Sequence, residues 1–226
     1  MRIKLPGSTK VKAIILVILI AVSLGILLKE RKYNKEMLKS QQAVEERIIN
    51  ENKENKTFLK QESNLEKLDE EYNKAYETFF KKNYDETIKI ADNIINKNED
   101  YYKAYNIRGI AKVYDGRFEE GMKDIDKSLE IKGDYGYGRF NKALSYELKG
   151  KYDEALKWYD KALEVEDYVW TYYGIASIYG RRGDIDNTIK YLKKAIELDS
   201  GVKNTAKEEE DFNPVRNNIK FKELIS

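Results

Sequence analysis

Histidine and cysteine, the two side chains that carry much of nucleophilic, acid-base and metal-ligating chemistry, are both absent from the 226 residues. Without cysteine there is no disulfide, no thiolate ligand, no thiol nucleophile and no lipid-modified N-terminal cysteine. Without histidine the commonest general base and the commonest metal ligand are gone. The patterns that remain are short. Asp184-Ile185-Asp186-Asn187 opens like a calcium loop, but no Gly and Glu follow at the places such a loop requires, and an acid there also suits a helix start. Gly133, Gly136 and Gly138 come before a helical stretch, yet their order is not that of a dinucleotide-binding loop and no strand precedes them. Asn55-Lys56-Thr57 matches a glycosylation sequon too short to carry weight, and Glu208 to Asp211 reads as solvated chain. No phosphate-binding loop, nucleophile elbow or zinc signature occurs. The expectation is a protein that is not an enzyme and that uses no cofactor or metal.

The residue type that points to function is aromatic. Eighteen tyrosines are a high number for this length, and Tyr and Trp give binding surfaces large contact area at low entropic cost. The plain alternative is that these rings pack helix on helix. Which role holds depends on the elements that carry them.

Those elements are helical. Charged residues of both signs make up 36% of the chain, apolar residues 41%, and only two prolines occur, a mixture that suits an all-α protein with a solvated outer face. Residues 1–32 hold seven Lys/Arg against one acid, so the net charge of +2 leaves a body of −4. A mildly acidic body argues against nucleic acid as a partner, which would require a basic face.

Ala13 to Leu28 is 16 residues without a charge, preceded by Arg2, Lys4, Lys10 and Lys12. As a helix it covers roughly 24 Å against a hydrocarbon core of ~30 Å, and Val11 extends it because Lys12 can snorkel to the interface. A cleaved signal peptide is the rival reading, with small residues at Ala21-Val22-Ser23. Against it, the apolar run Leu24 to Leu28 follows where polar chain is expected. No face of the segment is polar, which disfavours a buried core helix. The expectation is a basic tail (1–12) and a single-pass cell-membrane anchor (13–28), with the N-terminus cytoplasmic and the following domain extracytoplasmic. Basic residues flank the span almost equally, but a short basic tail stays inside easily and a long domain is translocated largely regardless of charge.

Residues 29–67 read as a polar helical spacer with sparse apolar positions at Met37, Val44, Ile48, Leu59 and Leu65. A solvated spacer is one reading, and a coiled coil through which the protein forms a homo-oligomer is the other. Leu65, Leu68, Tyr72, Ala75 and Phe79 then alternate three and four apart, a helical seam.

From about residue 68 the chain repeats itself. Lys82, Gly116, Gly150 and Gly183 are spaced 34, 34 and 33. Two residues on stand Tyr84, Phe118, Tyr152 and Ile185, followed at once by Asp85, Glu119, Asp153 and Asp186. Glycine there ends a first helix in the left-handed region, the large apolar residue plugs the corner, and the acid opens a second helix at its positive end. Small residues recur where the two helices approach: Ala75, Gly109, Ala143 and Ala176, then Thr87, Gly121, Ala155 and Thr188. Ile95, Leu129, Leu163 and Ile196 close each unit. Hairpins of this kind cannot bury their apolar faces singly, so they must stack.

With this period and pattern the chain resembles the tetratricopeptide repeat (TPR) family, in the manner of a bacterial membrane-anchored TPR protein. The resemblance implies an α-solenoid of about four helix-turn-helix repeats (68–99, 102–133, 136–167, 169–200). Residues 201–226 would then cap the end, where Asn213-Pro214 suits a helix start and Val215, Ile219, Phe221, Leu224 and Ile225 supply an apolar face. Departures from the family are Lys82 for the interhelix glycine, Lys112 at a position usually aromatic, and Glu99, Gly133, Asp167 and Ser200 for the closing proline.

The family's first helices line a concave groove, and its contact positions fall here on Tyr72, Tyr76, Phe79 and Phe80 in the first repeat. The second contributes Lys103, Asn106, Ile110, Val113 and Tyr114; the third Tyr137, Phe140, Leu144, Glu147 and Leu148; the fourth Trp170, Tyr173, Ser177 and Arg181. The implied groove is aromatic with few charges. The Lys and Asn pairs by which one subclass holds C-terminal carboxylates are missing, since Tyr72 and Tyr76, Asn106 and Ile110, and Phe140 and Leu144 stand there. Two functions follow as expectations: a membrane scaffold that captures a protein or peptide partner in the aromatic groove, or a self-associating coiled-coil spacer or structural envelope protein that the repeats cap.

Overall fold

The computed structural model describes residues 8–226, so Arg2, Lys4 and the rest of 1–7 lie outside the described residues. Every regular element described is helical. The chain divides into two units, one ending at Leu65 and the other running from Glu66 to Ser226.

The first unit is one helical stretch, the N-terminal part of α1 (Thr9–Phe80). It contains a window long and apolar enough to cross a membrane by length and composition. Within that window Ser23 donates its hydroxyl to the Leu19 carbonyl at 2.7 Å, so the side-chain hydroxyl of the apolar run is satisfied within the helix. From Lys29 to Leu65 the helix is exposed on all faces, Val44, Ile48 and Leu59 included.

In the second unit the end of α1 pairs with α2 (Tyr84–Lys97), α3 (Tyr102–Tyr114) with α4 (Phe118–Ile131), α5 (Gly136–Leu148) with α6 (Tyr152–Leu163), and α7 (Val169–Arg181) with α8 (Ile185–Leu198). Each hairpin turns on a residue with positive φ: Gly116, Gly150 and Gly183 at 84°, 74° and 72°, and Lys82 at 60°. Lysine has a Cβ, and the left-handed conformation costs it about 1–2 kcal/mol. The first turn therefore stores strain that the three glycine turns avoid. The acids predicted at the second helices all lie in their first turns, where the positive helix end stabilises them.

The small residues at each crossing are buried, from Ala75 and Thr87 to Ala176 and Thr188. The tightest approach is α3 on α4, where a Cβ built on Gly121 would stand 2.4 Å from the Gly109 carbonyl oxygen. Where threonine replaces a smaller residue its hydroxyl is absorbed locally, Thr87 donating to the Asn83 carbonyl at 2.9 Å and Thr188 to that of Asp184 at 2.6 Å. Between the crossings Ile94, Ile107, Ile110 and Ile125 are buried in one cluster and Ala143, Tyr159, Ile175 and Ile178 in the next. Burying each large apolar side chain contributes about 1.5–3 kcal/mol. Lys112, the departure from an aromatic position, binds Asp124 at 2.8 Å. Arg108 bridges the same Asp124 and Asp92 at 2.6 Å each, tying α2, α3 and α4 together.

The C-terminal segment closes the last hairpin through α9 (Val202–Glu208), a 3-10 turn (Glu210–Phe212) and α10 (Ile219–Ile225). Val202, Ala206, Phe212, Val215, Phe221 and Ile225 are buried with Tyr173, Leu192 and Ala195. The helix start expected at Asn213-Pro214 lies later. Residues 213–217 are turns, α10 begins at Ile219, and the Asn218 side chain caps it by accepting from the Lys220 amide at 2.9 Å. Arg216 accounts for the delay, because its guanidinium donates to the carbonyls of Lys207 and Glu209 and holds the turns across the preceding segment. Val215 consequently reaches the core from a turn, while Ile219 is exposed.

Candidate functional site

On α5 the residues Tyr137, Phe140, Asn141, Leu144 and Glu147 follow three- and four-residue steps, so one helix face presents them together. On α7 the same spacing aligns Trp170, Tyr173, Gly174 and Ser177. These two faces, with Ile110 and Tyr114 of α3 and Phe79 and Phe80 at the end of α1, line an open cavity of about 360 Å³. Tyr159 of α6 and Tyr168, the residue before α7, complete its wall, and Glu209 and Asp211 reach it from the C-terminal segment.

Eleven of the eighteen predicted groove residues come together here: Phe79, Phe80, Ile110, Tyr114, Tyr137, Phe140, Leu144, Glu147, Trp170, Tyr173 and Ser177. Among the seven outside the cavity lining are Tyr72, Tyr76 and Asn106. Tyr72 packs against Tyr101, ring centroids 6.3 Å apart, and carries Lys103 over its ring at 5.7 Å. Tyr76 lies between Tyr72 and Phe80, tilted to both rings, with centroids at 6.2 and 4.7 Å, and is partly exposed. Asn106 is fully buried, and neither of its amide atoms has a hydrogen-bond partner among the described residues. The family position that aims it at a groove is instead enclosed in this chain, because α3 is covered by α2, α4 and α5.

The rings support one another before they meet any ligand. Tyr137 stacks on Phe140 at 5.8 Å, Phe140 meets the edge of Tyr168 at 5.0 Å, and Trp170 meets Tyr173 at 5.4 Å. Such pairs contribute ~0.5–1.5 kcal/mol beyond their buried area. Phe140 is buried, whereas Trp170 and Tyr114 keep 37% and 41% of their surface at the rim. Burial pushes the Tyr137 phenol well above its usual range, with the neighbouring phenols of Tyr76 and Tyr72 adding to the effect.

The polar end of the cavity differs from the expectation of few charges. Tyr159 donates to Glu147 Oε2 at 2.6 Å and Ser177 donates to Glu147 Oε1 at 3.3 Å. The same Ser177 hydroxyl also lies within hydrogen-bond reach of Asp211, whose other oxygen pairs with Arg181. Burial, opposed by the hydrogen bond from Tyr159 and reinforced by the charge of Asp211, pushes the Glu147 carboxyl up to about 7. Asn141 Nδ2 and the Tyr173 hydroxyl are buried at the wall without partners among the described residues.

Sequence reasoning missed Tyr159, Tyr168, Asn141, Gly174, Glu209 and Asp211. A signal for Tyr168 existed, since Tyr101, Tyr135 and Tyr168 each stand immediately before a first helix at the repeat period. Asn141 lies one position beyond a family contact position, so no pattern singled it out. Asp211 had no local signal. It belongs to a run that reads as solvated chain, and it is buried because the chain folds back onto α7. Gly180 permits that return: a Cβ on it would stand 2.6 Å from the Phe212 ring and 3.0 Å from the Asp211 carbonyl oxygen.

Comparison with known proteins agrees with this architecture. Residues 137–200 match the tetratricopeptide repeat family, whose repeats serve as protein-interaction scaffolds. No curated protein sequence matches the chain. Among solved structures, the thermophilic TPR protein TTC0263 of Thermus thermophilus is 16% identical over 69% of this chain and 79% of its own, with a TM-score of 0.54. MamA is 18% identical over 59% of this chain and 79% of its own, with a TM-score of 0.49. YrrB, described as a TPR protein with an unusual peptide-binding site, is 15% identical over 68% and 80%, also at 0.49. The first of these likenesses speaks to fold alone, and the other two scores are too low to add to it. Residues 137–200 thus match the tetratricopeptide repeat family, and the stacked helical hairpins around them share the fold of TTC0263.

Proposed function

We propose that this protein is a single-pass membrane scaffold, without chemistry of its own, that captures a peptide or helix of a partner protein in the aromatic cavity of its repeats. One observation carries the reading: three consecutive first helices and the end of α1 direct aromatic side chains into one open cavity. Residues 13–28 serve as anchor, 29–67 as spacer, 68–200 as repeats and 201–226 as cap, with the repeats on the extracytoplasmic side. The apolar window near the N-terminus supports the anchor. With no native cysteine, Ser226→Cys offers one label site; an impermeant thiol reagent that reaches it only in broken cells would reverse the orientation.

Binding is tested at the rim. Phe140 is buried among other rings, so its truncation perturbs packing as well as contact. Trp170 is the cleaner probe. With a partner obtained by crosslinking in the native membrane, Trp170→Ala weakens binding by ~1–3 kcal/mol if the cavity is used. Unchanged affinity in Trp170→Ala and Phe140→Ala would remove the cavity from consideration.

A second reading has its own observation: Met37, Val44, Ile48 and Leu59 are exposed along the spacer, as a self-association seam would be. Sedimentation of the detergent-solubilised chain decides it, because a dimer that Val44→Glu with Ile48→Glu dissociates makes the spacer the interface, and a monomer excludes it.

A further inference from the structure

We infer that the cavity takes a basic side chain, Lys or Arg, presented by the bound peptide, with its apolar stem between the rings and its charge at the Glu147 and Asp211 end. This rests on the cavity being the peptide site and names the chemistry it selects.

Three observations carry the inference. The first is the charge of the lining. Among the described residues Glu147, Glu209 and Asp211 line the cavity and no Lys or Arg does; the nearby Arg181 is already engaged by Asp211. A partner of opposite charge is the complement of such a wall.

The second is a shortage of donors. Ser177 has one hydroxyl hydrogen but lies within reach of both Glu147 and Asp211. When both acids are ionised, that hydrogen serves one of them, and Glu147 keeps only the hydrogen bond from Tyr159. A partly buried carboxylate with unfilled acceptor sites is costly, and there are two ways to relieve it: take up a proton, or take up a cationic donor. Among the described residues no three acids are gathered as ligands around one point, so the donor suited to this wall is an ammonium or guanidinium group rather than a coordinated metal ion.

The third is the lining between rim and acid. Trp170, Tyr173, Tyr137 and Phe140 offer faces and edges along the way. Aromatic faces attract a cation and cover the methylenes of a long basic side chain. A neutral aliphatic side chain would fill the aromatic part and leave the acidic end unpaired.

Proton linkage follows. The groups facing Glu147 are Tyr159 of α6, Tyr114 of α3, Ser177, Tyr173 and Arg181 of α7, and Asp211 of the 3-10 turn. Protonated Glu147 satisfies itself and competes with the ligand. Binding of a basic peptide therefore strengthens as pH rises from 5.5 to 8.

The test is panning a random dodecapeptide phage library on the full chain in lipid nanodiscs at physiological salt, with Trp170→Ala/Phe140→Ala protein for counter-selection. The expected result is a cavity-dependent set of peptides sharing one Lys or Arg beside apolar residues. A cavity-dependent set without a shared basic position overturns the inference and leaves the cavity as a peptide site. A library yielding no cavity-dependent peptide overturns both. For an enriched peptide, Glu147→Gln is expected to reduce affinity at pH 8 about tenfold and to flatten the pH profile, while the same peptide with its basic residue replaced by norleucine is indifferent to Glu147→Gln. Equal losses for both peptides would assign Glu147 a purely structural role and sink the proposal.

Discussion

Replacing Glu147 with Gln separates what this residue does for the fold from what it does in the cavity. The carboxyl is pushed up to about 7, with burial the largest cause, whereas in an unfolded chain it titrates near 4.5. Between those values the folded protein holds a proton that the unfolded chain has released, so stability falls as pH rises through the window. Below pH ~4.5 the residue costs nothing, and above pH ~7 the cost is complete. At about 1.4 kcal/mol per pH unit the full difference is worth roughly 3 kcal/mol. Glu147 keeps some exposure at the cavity wall, and water there reduces the cost to ~1–2 kcal/mol. Glutamine keeps the shape and accepts from Tyr159 without the charge. The expected outcome is a variant equal to the parent at pH 4 and more stable by ~1–2 kcal/mol at pH 8. Urea unfolding of the nanodisc-held chain, followed by the fluorescence of Trp158 and Trp170, measures the difference. Parallel pH profiles for parent and variant would refute the reasoning, since every other titrating group is common to both. Together with the expected loss of basic-peptide affinity, the variant would be better folded and worse at binding, an outcome that misfolding cannot mimic.

Two further predictions concern the frame that holds the cavity. Gly121→Ala places a methyl group 2.4 Å from the Gly109 carbonyl oxygen and 2.6 Å from Val113 Cγ2. The overpacking cost of ~1–3 kcal/mol exceeds the ~1 kcal/mol gained in helix propensity, so the urea midpoint falls; a midpoint that rises would mean the α3–α4 crossing is looser than described. Lys82→Gly removes a side chain from a backbone held at φ 60° and, after the added freedom of the unfolded chain, is expected to raise stability by up to ~1 kcal/mol, read as a higher melting temperature. A lower one would mean that the Lys82 side chain compensates the turn.

Periodic features were legible in the residues because each answers a local demand. Gly116, Gly150 and Gly183 end first helices, and Asp85, Glu119, Asp153 and Asp186 sit where a helix start favours an acid. Small residues mark each crossing, and in a stacked array every unit meets mainly its neighbours, so one period describes both hairpin and stack. Even Lys82, which breaks the pattern in type, keeps it in backbone conformation, because the turn is set by the helices on either side. The places of Tyr137, Phe140, Leu144, Trp170 and Tyr173 in the lining were legible only through the resemblance to the repeat family, whose contact positions they occupy.

What the tertiary structure alone decided lies where the period ends or where enclosure differs from one unit to the next. Asn106 occupies a groove position in the pattern and is buried because three helices cover α3. Asp211 reads as solvated chain and becomes buried because Arg216 and Gly180 let a non-repeating segment return against α7. That return sets an acid beside Glu147 and turns the end of an aromatic groove into a negatively charged wall. No local pattern encodes it, since the interaction joins residues far apart in the chain through a segment with no repeat of its own.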